Sequence, residues 1–290
     1  MKKILALMLA LGLCLSIFAA CDSKTTTDTA ADNAAATGNE TNTTEKKVLK
    51  IGTTATNEQV TEAIRDALAE KGYEMEIVMF QDPIQPNTAL DAKEVDATFM
   101  EHEAYMQSFV DNNGYNLKFM EPPIIFGPFG CYSVKHKSID DLPDGAQVTM
   151  CSDASNKDRS LIMLQSIGLI TLADEPQYGE YYIAEDIIEN PKNITFIEAE
   201  EPNVPTTLQD VDMIVAYNPT MYAGNYDVSG LLYLEEYTDD LSDLAQGVVI
   251  NGDDANEAWV KDLMDAFTSD TAKTNLEKAN DGSFIIVFDK

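Results

Sequence analysis

From Val48 onward the chain alternates short apolar strands with amphipathic helices, and it does so twice in succession. That alternation admits few folds. Residues 48–52 read as a buried strand. Residues 57–71 predict a helix with Val60, Ile64 and Leu68 on one face and Gly72 as its stop. Residues 75–80 alternate as a second strand, 86–93 form a short helix, and 95–99 a third strand. A β-α-β-α-β run of this kind requires a parallel sheet with helices on its faces. The second run places strands at 131–134, 147–151, 194–198 and 213–217, with helices at 160–166 and 182–189, the latter closed by Asn190 and Pro191. After Asp243 come a strand at 247–251, helices over 254–267 and 270–280, and a last strand at 284–288. About 245 residues exceed what one core usually fills, so the expected fold class is α/β with two lobes. In such sheets ligands lie beyond the C-terminal strand ends, here in a cleft between the lobes.

The N-terminus has a different logic. Lys2 and Lys3 precede the apolar run 4–20, and Cys21 follows Ala19 and Ala20. This is a signal-peptide layout, too short for a bilayer core that needs about 20 apolar residues. Residues 18–21 resemble the lipobox of bacterial lipoproteins, in which the cysteine receives a diacylglyceryl group and becomes the new N-terminus. Two or more acyl chains hold a protein stably at a membrane. The alternative is cleavage after Ala20 and release of a free protein. Residues 21–46, rich in Thr, Ala, Asn and Asp, lack apolar periodicity and are expected to form a flexible tether spanning roughly 25–30 Å. The expected location is therefore the extracytoplasmic face of a cell membrane.

The 290-residue chain carries 50 acidic against 19 basic side chains, a net charge of −31. Loss of Lys2 and Lys3 with the signal makes it more acidic still. Such a surface repels nucleic acid and anionic lipid. Cys131 and Cys151 form one disulfide or remain two buried thiols, and spacing does not decide between them. With His102 and His136 the only histidines, no metal-ligand spacing exists, and no cofactor motif is present. Nucleophile elbows and phosphate-cradling glycine loops are absent too, so no catalytic residue is assigned. An enzyme pairing Cys131 or Cys151 with His102, or Glu101 with His102, is the weaker reading.

Arginine is used only at positions 65 and 159. Arg65 sits between Ile64 and Leu68 on the polar side of its helix, where lysine would serve equally. Arg159 follows the cap-forming residues Ser152, Asp153, Ser155 and Asn156 and precedes the apolar run from Leu161, which places it in a helix's first turn. There a guanidinium and the positive dipole end both favour an anion, so Arg159 is expected to hold a ligand carboxylate. The alternative is a surface pair with Asp153 or Asp158.

With those residues in view, the chain resembles the NlpA lipoproteins, the methionine-type substrate-binding proteins of ABC importers. The resemblance runs from about Leu49 to the end. It is carried by residues 86–90, by 95–97 followed by Glu101 to Tyr105, by Tyr132 and Ser133 with 138–142, and by 159–170. Residues 189–193 and the segment from Asn218 to Ala223 match as well. It implies a two-lobed, type II periplasmic-binding-protein-like fold, with lobe 1 over 47–128 and 250–290 and lobe 2 over 129–249. Arg159 and Asn218 are then expected to hold the carboxylate and amino groups of an amino acid, while His102 and Tyr105 surround its tail. Asn156, Met100, Glu101 and Gln246 complete the expected ligand contacts. The partner it implies is an ABC permease in the cytoplasmic membrane. The chain departs from the family at Pro83, Met100, Glu101, Gly127, Asp158 and Gln246. Several of these changes shrink the apolar pocket unless Phe99, Phe126 or Phe129 refills it, and Glu101 or Asp158 could answer a cationic group. A larger amino-acid-like or short-peptide ligand is the alternative cargo, and a surface adhesin with a vestigial cleft a more distant one.

Overall fold

The computed structural model describes residues 47–177 and 181–289. The expected signal peptide, the expected lipid-bearing Cys21 and the expected tether lie outside the described residues. Two sheets organise the molecule. The first opens with β1 (Lys47–Thr54). A helical segment follows, broken into α1 (Glu58–Glu62) and α2 (Arg65–Glu70), then β2 (Tyr73–Phe80), α3 (Gln85–Asp91), β3 (Ala97–His102), α4 (Glu103–Asn113) and β4 (Leu117–Phe126). The chain then crosses to the second sheet, made by β5 (Phe129–Tyr132), β6 (Gln147–Cys151), α5 (Ala154–Ser166), the small hairpin of β7 (Thr171–Leu172) and β8 (Ile187–Glu189), β9 (Thr195–Ala199), β10 (Met213–Tyr217), α6 (Asn218–Ala223) and β11 (Leu231–Leu234). It returns through β12 (Gln246–Asn251), α7 (Ala258–Phe267), α8 (Asp270–Ala279) and β13 (Ile285–Ile286).

The strand orders are β2-β1-β3-β12-β4-β13 and β9-β6-β10-β5-β11. In each sheet three parallel strands come first, and the next position is taken by an antiparallel strand that has just crossed from the other sheet, β12 in one and β5 in the other. The two lobes therefore repeat one plan. Each has its own core. Leu49, Ile51, Ile64, Phe99, Val248 and Phe267 anchor the first, and Phe129, Val148, Leu161, Leu164, Ile214 and Met221 the second. Burying each such side chain stabilises by about 1.5–3 kcal/mol.

Several sequence expectations shift. The helix expected over 57–71 tightens at Ala63 and Ile64, whose N–H groups bond to the carbonyls of Val60 and Thr61 three residues back, yet Val60, Ile64 and Leu68 stay buried. Helix α5 starts six residues earlier than expected, because Asp153 caps it by accepting the Asn156 N–H at 3.0 Å. Arg159 is thus in the second turn, and the dipole argument does not apply to it. Residues 182–189 form no long helix. Asp186 is fully buried, accepts the N–H groups of Gln177 and Ile183, and turns the chain so that β8 pairs with β7. The return to the first sheet comes at Gln246, which pairs with His102, four residues before the expected boundary at 250. Cys131 and Cys151 are both buried free thiols, and burial pushes the Cys131 thiol up to about 12.

Candidate ligand-binding site

Between the lobes lies a cavity of about 600 Å³, within the range of small-molecule sites. Its walls are the residues just past the C-terminal ends of the parallel strands of both sheets. Thr54 ends β1 and Ala55 to Asn57 follow it, Phe80 ends β2 and Gln81 to Gln85 follow it, and Met100 to His102 end β3. Ser152 and Asp153 follow β6, Glu200 to Pro202 follow β9, and Tyr217 ends β10. Strand ends are where a parallel sheet leaves its side chains and N–H groups free of the ladder, so the cavity's position follows from the fold.

Arg159 is 3% exposed and lines this cavity. It pairs with neither Asp153 nor Asp158. Its Nε lies 3.1 Å from both carboxylate oxygens of Glu235, Nη2 also reaches Glu235, and Nη2 donates to the Gly127 carbonyl at 2.9 Å. The guanidinium carbon lies over the rings of Phe126 and Phe129, at 5.0 and 4.3 Å from their centres. Nη1 is buried and has no partner. Glu235 is a residue sequence reasoning missed. It lies 76 positions from Arg159, just past β11, in an acidic stretch where nothing distinguishes it from its neighbours.

His102 joins the lobes. Its Nδ1 accepts the Tyr105 N–H at 3.1 Å, which places the ring proton on Nε2, and that N–H donates to Asn156 Oδ1 at 3.2 Å. Burial drives the imidazole down to about 3, so the ring is neutral and its tautomer fixed. Asn156 is held in turn by Asp153, to which its Nδ2 donates at 3.1 Å. Tyr105 faces the same cavity with its ring edge-on to His102. Tyr181 adds a second bridge, donating from Oη to the Ala104 carbonyl at 3.1 Å.

Asn218 is placed differently. It is buried but does not line the cavity. It accepts from Tyr132 Oη, and its Nδ2 donates to the carbonyl of Ser283 at 2.9 Å, tying the second lobe to the C-terminal segment of the first. The reason is register. Asn218 opens α6, so its side chain leaves the strand-end row, and Tyr217 occupies the wall instead. The Tyr217 phenol is buried without a hydrogen-bond partner and fills the space over Gly127, where a Cβ would overlap it. Phe129 also lines the cavity, whereas Phe99 stacks on Phe267 in the core. Asp158 takes the Tyr182 N–H at 2.6 Å and is not part of the wall.

Met100, Glu101 and Gln246, expected as ligand contacts, line the first-lobe wall. The Met100 carbonyl accepts from Gln246 Nε2 at 2.8 Å and from Asn57 Nδ2 at 3.4 Å. Glu101 accepts from Asn87 Nδ2 at 2.8 Å through one oxygen, and burial raises its carboxyl to about 8. Glu201, on the opposite wall, is raised to about 7 by burial. No cluster of His, Cys, Asp and Glu suited to a metal is present among the described residues.

Residues 49–288 match the NlpA lipoprotein family. The chain belongs to that family. The D-methionine-binding lipoprotein MetQ of Salmonella typhimurium is 31% identical over 242 residues, which cover 82% of this chain and 87% of the relative. Outer membrane lipoprotein 2 of Mannheimia haemolytica is 37% identical over 186 residues, 63% of this chain and 66% of that protein. Among solved structures, a nutrient binding protein from Burkholderia cenocepacia bound to methionine superposes with a TM-score of 0.77 at 32% identity, covering 83% of this chain and all of that one. A periplasmic substrate-binding protein of an ABC transporter from Coxiella burnetii gives 0.75 at 26% identity, covering 82% and 100%. The two-lobed substrate-binding fold is thus common to this NlpA lipoprotein and its relatives.

Proposed function

We propose that this NlpA lipoprotein captures an amino-acid-type zwitterion between its lobes and delivers it to the permease of an ABC importer on the extracytoplasmic face of a membrane. Methionine, the ligand for which its relatives are named, is the reference ligand. One observation carries the reading: Arg159 Nη1 is a buried, charged donor without a partner on the wall of an interlobe cavity. A ligand carboxylate satisfies it, assisted by the unpartnered Tyr217 hydroxyl, and Asp153 and Glu201 on the same lobe are the acceptors for the amino group. Asn218 acts one layer back, steadying the wall through the Tyr132 and C-terminal contacts. Because His102 and Tyr105 come from the first lobe and Arg159 and Asn156 from the second, a ligand touching both favours the closed arrangement, and that differential affinity is the signal a permease can read. No step of this cycle asks the protein to make or break a covalent bond in its cargo. The membrane tether is an acylated Cys21, which the mass of the membrane-extracted chain checks directly.

A thermal-shift panel of amino acids tests the reading. Ligand at 100 times its Kd adds about 2.7 kcal/mol of stability. A clear upward shift with methionine or another amino acid is expected, and no shift across D- and L-amino acids and short peptides would remove the amino-acid assignment in favour of an adhesin.

A further inference from the structure

The first-lobe wall of the cavity holds three hydrogen-bond acceptors with no partner: Asn57 Oδ1, Glu101 Oε1 and Gln246 Oε1. All three side chains are at least nine-tenths buried, being 2%, 2% and 5% exposed, and all three line the cavity. Their orientations are fixed by the backbone. Asn57 and Gln246 both donate their amide N–H groups to the Met100 carbonyl, which can only accept, so their oxygens must face the other way. Glu101 is the next residue, and its second oxygen is taken by Asn87. The wall thus offers acceptors gathered around one peptide of β3, and apart from a proton on Glu101 itself the protein supplies no donor to them.

A thioether does not meet this demand, since its sulfur is a weak acceptor and carries no hydrogen. The ligand's own amino group is already provided for at the opposite pole. Arg159 on α5, Asp153 at its N-cap and Glu201 just past β9 belong to the second lobe, whereas Asn57, Glu101 and Gln246 belong to the first. The two poles therefore lie one in each lobe.

We propose, resting on the amino-acid reading above, that the preferred cargo is a basic amino acid whose side-chain ammonium or guanidinium is received by Asn57, Glu101 and Gln246. A distal cation brings two or more N–H donors to three acceptors, and its charge is answered by Glu101. Burial holds the Glu101 carboxyl up to about 8, so the empty site keeps a proton there at neutral pH. The arriving cation displaces it, leaving a carboxylate against the bound cation and passing the proton to the buffer. The polar and titratable groups on this wall include Asn57, Asp82, Asn87, His102, Tyr105 and Gln246, faced across the cavity by Asp153, Glu201 and Arg159; of these only Arg159 is cationic, and it belongs to the opposite lobe.

Isothermal titration of the full chain at pH 7 with lysine, ornithine, arginine, glutamine and methionine, in buffers of different ionisation enthalpy, tests this. The expected result is that a basic amino acid binds at least tenfold tighter than methionine and releases about one proton per ligand. Glu101→Gln should lower that preference at least tenfold, and Gln246→Leu should lower it as well. Methionine or glutamine binding tighter than every basic amino acid would overturn the inference while leaving the amino-acid reading intact. A preference unchanged in both variants would also overturn it. Binding of no amino acid at all would overturn both.

Discussion

Gly127 illustrates how one missing side chain shapes the site. It stands at the crossing between β4 and β5, its carbonyl holds Arg159, and the Tyr217 ring lies where its Cβ would be. Gly127→Ala must push the phenol into the cavity or away from its wall, an overpacking cost of about 1–3 kcal/mol. The expected outcome is a melting temperature lower by several degrees together with weaker ligand binding, read by calorimetry on the empty and loaded protein. Glu101 makes a second prediction, in pH. Its folded carboxyl titrates at about 8 against an ordinary value of 4.5. Between those values the folded protein holds a proton the unfolded chain has released, so the stability this group contributes is lost as pH rises toward 8. Glu201, raised to about 7, acts in the same direction. His102, lowered from 6.5 to about 3, acts oppositely, but only below pH 6.5, where the unfolded ring gains a proton the folded one refuses. Thermal melts of the ligand-free protein from pH 6.5 to 8.5 should therefore decline, and Glu101→Gln should flatten the curve. A parent curve that rises over that range would contradict the burial assigned to Glu101.

At the scale of elements, strand-to-helix junctions do most of the positioning. His102 ends β3 and caps α4, and Asp153 follows β6 and caps α5, so the two junctions face each other and meet through the His102–Asn156 hydrogen bond. Asp153→Ala removes the cap and frees Asn156. A loss of about 1 kcal/mol is expected from the cap alone, accompanied by weaker binding; an unchanged denaturation midpoint would show that the cap contributes nothing. The alternating pattern made the strands of both parallel cores legible to within a few residues, because period-two and period-3.6 burial are written directly in the apolar positions. The start of α5 differs from the expected one because Ser155 and Asn156 look like caps themselves, whereas the Asp153 carboxylate is the group that accepts the Asn156 N–H. The helix expected over 182–189 fails because a buried Asp186 binds local N–H groups, a preference for turns that periodicity does not register. Arg159 was legible as an unusual residue and His102, Tyr105, Met100, Glu101, Asn156 and Gln246 as wall residues. Glu235 and Tyr217 were not, since each acts through a neighbour distant in sequence, and Asn218 was displaced from the wall by the one-residue offset between the end of β10 and the start of α6.

For the whole molecule, two crossings join two lobes built on one plan, and the cavity between them draws one polar pole from each. The acidic composition, net −31 for the whole chain, disfavours contact with anionic lipid or nucleic acid. No helix among the described residues is long and apolar enough to cross a membrane. The central claim is that the lobes close on a carboxylate held by Arg159. Isothermal titration of Arg159→Lys with the tightest-binding amino acid tests it most directly, because lysine keeps a positive charge beside Glu235 but cannot present the Nη1 donor. A charge-assisted hydrogen bond is worth about 1.5–3 kcal/mol, so the account predicts at least tenfold weaker binding with the empty protein still folded. A folded Arg159→Lys protein that binds as tightly as the parent would contradict it.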